Sequence, residues 1–172
     1  MAEEERIARL AKQIGDDIRR DQHLLLSDGE VLELRREAAA SLHEICASFA
    51  ASVNRLLTPA VLELVPADYA PDMFRNSGAN LFQLNAHGRI LQVVFESTRE
   101  RFSTEKFLIP YVLEGEVRAY NQEMLERTQV RSQALFFCLE DSRKTWRYYE
   151  WANGRTGVFG REQLVSLMER IV

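Results

Sequence analysis

Only two cysteines, Cys46 and Cys138, occur in the 172 residues, and neither sits in a metal-type spacing. That excludes a disulfide framework and a zinc knuckle, and fits the reducing cytoplasm, where this chain is expected. Phosphate loops are missing as well: neither a GxGxxG nor a Walker pattern occurs. The three histidines, His23, His43 and His87, share no ligand spacing, so neither a metal nor a cofactor is expected. No apolar run approaches the ~18 residues that a spanning helix requires, so no membrane span is expected. The opening Met1-Ala2-Glu3-Glu4-Glu5 is acidic where a signal peptide would be basic and then apolar. A net charge of −4 argues against a protein that coats nucleic acid with its whole surface.

What is present is a globular composition, 46% hydrophobic and 28% charged, without internal repeat, low-complexity tract or linker. One domain over 1–172 is the expectation: a helical part over 1–64, an antiparallel sheet over 80–160, and a closing helix over 161–171. In the first helix, Ile7, Leu10, Ile14 and Ile18 recur at three- and four-residue steps among charged neighbours. Packing of this stripe on the second helix is its simplest use. His23 and the leucines Leu24, Leu25 and Leu26 follow. Ser27 and Glu30 then form a capping-box signature, with Leu26 and Val31 placed as a hydrophobic staple.

The second helix carries a stripe of Val31, Leu34, Ala38, Leu42, Ile45, Phe49, Val53 and Leu56, and a small-residue face of Ala39, His43, Cys46 and Ala50. It is expected to be contacted on more than one side, as the central strut. Thr58-Pro59 resembles a helix start. Beyond it, Pro66, Pro71, Asn76 and Gly78 mark an irregular crossing, with a turn of helix near 72–75.

Three glycine-centred pairs, His87-Gly88, Glu114-Gly115 and Asn153-Gly154, punctuate the rest as hairpin turns. They delimit strands at 80–86, 89–97, 106–113, 116–122, 133–140, 144–152 and 155–159, with Pro110 marking an edge or a bulge. The fold class is therefore α+β: an N-terminal helical hairpin with a long central helix, an antiparallel meander of six or seven strands, and a short C-terminal helix. Strands 89–97 and 133–140 are apolar on both faces, so something must cover the side away from the helices. A curl of the sheet, a second protomer or a ligand would each serve.

No catalytic signature emerges. His43 and Cys46, three apart on one helical face, are the only imidazole–thiol pairing at helical spacing, and a packed small-residue face explains them more simply. Acids at 16–17, 114–116 and 140–141 are read as solvated helix-surface and turn residues. The leading expectation is a non-enzymatic binding module that recognises a protein, including itself as a homo-oligomer. A second is a carrier or sensor for a small apolar ligand, with a pocket between the sheet and the second helix walled by Phe95, Tyr111, Phe137 and Trp151. A third is single-stranded nucleic-acid binding by the ribbon 143–161, where Arg143, Lys144, Trp146, Arg147 and Arg155 mix cations with aromatic rings.

Overall fold

Ser27 and Glu30 start the longest helix in the manner expected of them. In the computed structural model, which describes residues 2–21, 25–140 and 143–172, Ser27 Oγ accepts from Glu30 N at 3.2 Å. The Ser27 amide donates back to Glu30 Oε1 at 3.5 Å. Helix α2 then runs Asp28–Asn54, preceded by α1 over Ala2–Arg20. The helix-ending role expected of His23, the place of Leu24 in the leucine run, and the turn expected at Asp141 lie outside the described residues.

Both apolar faces of α2 are buried. Val31, Ala38, Leu42 and Phe49 come from the stripe, and Ala39, His43, Cys46 and Ala50 from the small-residue face. The sheet takes one side. The C-terminal helix, numbered α4 below and spanning Arg161–Glu169, packs against α2 and also touches the sheet. Arg161 at its start donates to Ser48 and Ser52 Oγ at 3.2 and 3.3 Å.

With those faces occupied, α1 does not pack on α2 as the sequence suggested. Ile7 is 58% exposed, Leu10 55%, Ile14 50% and Ile18 61%.

The sheet has seven strands in sequential order, every neighbour antiparallel. They are β1 Glu63–Val65, β2 Asn80–Ala86, β3 Arg89–Ser97, β4 Tyr111–Tyr120, β5 Arg131–Glu140, β6 Arg143–Tyr149 and β7 Thr156–Val158. The 87–88 and 153–154 turns form as expected. His87 and Gly88 take φ of 51° and 89°, Gly154 takes 70°, and Asn85 Oδ1 accepts from Gly88 N at 2.8 Å.

Three expectations fail locally, each for a physical reason. Glu114-Gly115 is not a turn but the middle of β4, with Gly115 paired between Phe95 and Leu135. Glycine is required there because β3 presses in: a Cβ at 115 would lie 2.0 Å from Val94 O and 2.7 Å from Phe95 Cα. Nor does Pro59 begin a helix. Asn54 Oδ1 accepts from Val61 N and Leu62 N at 3.2 and 2.9 Å, and its Nδ2 donates to Leu62 O at 2.8 Å. These bonds fold 55–62 back as a turn that feeds β1, a strand the sequence did not announce. The third is α3, Gln122–Glu126, which ends β4 and is capped by Asn121 accepting from Met124 N at 2.9 Å. Near Pro110 the register shifts between Tyr111 and Leu113, the bulge its missing donor favours. The turn of helix near 72–75 is a 3-10 turn at Pro71–Met73.

The inner face of the sheet, toward α2, buries Phe82, Leu91, Phe95, Leu135, Phe137 and Trp146. Trp146 Nε1 donates to Ala38 O at 2.8 Å, which satisfies the indole inside an otherwise apolar layer. Truncating a residue of this layer, such as Leu91 to Ala, is expected to cost about 2–5 kcal/mol.

The outer face has its own small core. Tyr111, Phe136 and Cys138 are buried there beneath Phe107 and Ile109 of the segment 98–110. Phe107 stacks on Phe136 with centroids 5.1 Å apart and planes 8° from parallel. The cover that two-sided apolar strands demanded is thus, at this end, the chain's own loop.

Candidate functional site

The loop that covers the outer face is tied down from the inner side. Arg35, in the first half of α2, is only 7% exposed. Its Nε donates to Val112 O at 3.0 Å and its Nη1 to Asn76 Oδ1 at 3.1 Å. Its Nη2 reaches Thr98 Oγ1 and Glu100 O, each at 3.0 Å, and Thr98 O and Arg101 O at 3.3 Å. Burial pulls the guanidinium pKa down, and the charge of Asp28 opposes that shift. Farther along the loop, Ser103 and Tyr111 exchange backbone hydrogen bonds at 2.8 and 2.9 Å, and Lys106 N donates to Tyr111 Oη at 3.0 Å. The loop therefore presents Lys106 at a fixed place above the sheet.

Beside it lies an open cleft of about 460 Å³ across the outer face of β3, β4 and β5. Its floor is Val94, Ala134 and Phe136, and Trp151 forms a wall. Trp151 is 65% exposed and held edge-on against Tyr149, with centroids 4.6 Å apart. Three carboxylates line it: Glu96, Glu114 and Glu116. Glu96 and Glu114 are direct cross-strand partners, and like charges in that relation repel. Lys106 Nζ lies 3.5 Å from Glu114, and Arg118 pairs with Glu116. Glu96 has no ion-pair partner among the described residues.

The sequence-derived candidates fall elsewhere for the most part. Phe95 and Phe137 are buried on the inner face, each against Trp146 at 5.6 and 5.4 Å. Tyr111 is buried on the outer face beneath the loop, and Trp151 is the exposed wall of the cleft. These four do not line one space between sheet and α2, which aromatic rings fill instead. The cations of the 143–161 ribbon are divided as well. Lys144 shares the inner-face parity of buried Trp146, whereas Arg143 and Arg147 lie on the outer face. Arg147 Nη1 is 3.3 Å from Glu140, and Arg155 sits in the turn before β7.

The thiols are inert by position. Burial pushes both Cys46 and Cys138 up to about 12, so neither is a thiolate near neutral pH. His43 Nε2 donates to Pro66 O at 2.7 Å and its ring stacks on Tyr69 at 5.3 Å, so a structural partner engages it rather than Cys46. Among the described residues no group of three or more His, Cys, Asp or Glu is arranged to hold a metal ion. No helix there is long and apolar enough to cross a membrane.

No protein-family model matches this chain, and no curated protein or solved structure matches it either. Glu114 and Glu116 were read as solvated turn residues because Gly115 was read as a turn, and neither Glu96 nor Lys106 was among the sequence-derived candidates. Had 111–120 been read as one strand, the i, i+2 spacing of Glu114 and Glu116 would have placed both on one face.

Proposed function

We propose that this chain is a non-enzymatic interaction module that associates with a second copy of itself through α1. The observation that carries this reading is the uncovered stripe of Ile7, Leu10, Ile14 and Ile18, each at least half exposed. Burial of such a side chain is worth about 1.5–3 kcal/mol relative to full exposure, so a continuous stripe left in water favours a partner.

Spacing and charge favour a second copy as that partner. Ile7, Ala11, Ile14 and Ile18 follow one another at steps of four, three and four, the spacing of a coiled-coil seam. This set reads the same in both directions. In an antiparallel pair about a two-fold axis, Ile7 of one copy faces Ile18 of the other, and Ala11 faces Ile14. The same orientation brings the acidic first turn, Glu3 to Glu5, beside the Arg19 end of the other helix. Two buried free thiols, one on α2 and one on the outer sheet face, support a cytoplasmic setting as part of this reading.

Sedimentation of the full chain at about 100 μM is expected to show a reversible dimer. The double variant Ile7→Glu/Ile14→Glu should sediment as a folded monomer, because neither side chain belongs to the core. A wild-type chain that stays monomeric, or a variant that still dimerises, overturns the proposal. So does a monomer that instead pellets with anionic vesicles, which would assign α1 to a bilayer surface.

A further inference from the structure

The geometry points to the outer-face cleft as a docking groove for a basic, extended segment of a partner protein, one that offers arginine or lysine side chains. The inference does not rest on self-association through α1, which lies on a different element.

Three features of the groove specify the occupant. First, its charge is unbalanced: Glu114 and Glu116 are paired with Lys106 and Arg118, while Glu96 faces the groove with no cation of its own among the described residues. The facing pair Glu96 and Glu114 is a local repulsion that the fold sustains without a cation at Glu96. A positive group seated between these carboxylates would relieve it and form charge-assisted hydrogen bonds. Second, the floor beneath the acids is apolar, with Val94, Ala134 and Phe136 placed to receive the methylene stem of a long cationic side chain. Third, Trp151 stands exposed at the wall with its ring packed edge-on against Tyr149. An indole so placed can take a guanidinium or ammonium over its face.

A peptide suits the groove better than a free amine. The space of about 460 Å³ spans three strands, roughly 10 Å across at the usual strand spacing. That is more than one cationic side chain fills, and it leaves room for the backbone that carries it.

The test uses the full chain and a fluorescein-labelled octapeptide alternating arginine with alanine, followed by anisotropy at low ionic strength. Binding is expected, weakening steeply with added salt. It should fall about tenfold in Glu96→Gln/Glu114→Gln and by a similar factor in Trp151→Ala. All three side chains lie on the outer face, and circular dichroism should show these variants folded. Exposed Glu123, on α3, serves as the control, and Glu123→Gln should bind as the wild type does. Equal binding by the cleft variants, equal binding of a glutamate–alanine octapeptide, or no binding at all overturns the assignment. Titration with arginine amide and with butylamine separates the sources of the cation. If either free amine binds as tightly as the octapeptide, the groove takes small amines and the peptide proposal fails.

Discussion

Replacing Arg35 with methionine removes the only charged group that α2 buries, and the structure allows its cost to be worked out. The side chain of Arg35 contacts six acceptors, five of them within the 98–101 loop start and Val112. Its Nη2 shares two hydrogens among four of these, so the count overstates independent bonds. Thr98 Oγ1 donates to Glu100 O at 2.7 Å, Thr98 N to Val112 O at 3.2 Å and Ser97 Oγ to Asn76 Oδ1 at 2.9 Å, so these three acceptors keep a donor. Thr98 O and Arg101 O then lack one, at about 1–3 kcal/mol each. Removing a desolvated guanidinium returns part of that, because an uncompensated buried charge is itself unfavourable. A net loss of about 3 kcal/mol is the expected result, or a melting temperature lower by about 6–12 °C for a chain of this length. Arg35→Lys should fall between the two, since one ammonium cannot reach acceptors on both Val112 and Arg101. Thermal and urea denaturation measure the loss. Hydrogen exchange measures its location, with amides of 98–110 expected to open before those of β2 and β3. A methionine variant that melts within about 2 °C of the wild type would refute the reasoning, because desolvation would then outweigh the hydrogen bonds.

Gly115→Ala places a Cβ within 2.0 Å of Val94 O, so the β3–β4 ladder must shift; a stability loss of at least about 2 kcal/mol in urea is expected, and an unchanged midpoint would count against the close approach. Glu150 is held below the ordinary carboxylate range chiefly by the amide of Gln133, then by Asn153, and by Arg170 at a distance. A depressed folded pKa stabilises the protein above the unfolded value and loses that contribution as pH falls through the folded one. Glu150→Gln should therefore be destabilising at pH 7 and nearly neutral at acid pH, and a constant difference across an acid titration would contradict this. Cys46 and Cys138, with thiols pushed up to about 12, should react with a disulfide reagent only on unfolding, and rapid labelling of native protein at pH 8 would show one of them accessible.

How far the sequence revealed this molecule depended on whether a local pattern had a tertiary competitor. The capping box at Ser27 and Glu30 and the 87–88 and 153–154 turns are satisfied within a few residues, so their chemistry was legible and β2 and β3 fall at the expected bounds. Gly115 carried the opposite lesson. Glycine between two glutamates suits a turn, yet here it answers a demand from β3, twenty residues away in the chain, which no local pattern encodes. That one residue divided β4 in two and concealed the acidic face. Arg35 was hidden for a related reason: an arginine on a helix reads as surface until the loop that wraps it is known.

The apolar excess, by contrast, was legible as a total but not by location. Two-sided strands did signal a second cover, and the chain supplies part of it with Phe107 and Ile109. Leu81 and Val65 stay open on the outer face, and every member of the α1 stripe stays at least half exposed. Since α2 has both apolar faces occupied, α1 does not find its cover there. If its isoleucines contribute to stability at all, they do so in contact with another molecule. Stability that rises with protein concentration, and does so only while Ile7 and Ile14 are intact, is the signature that follows.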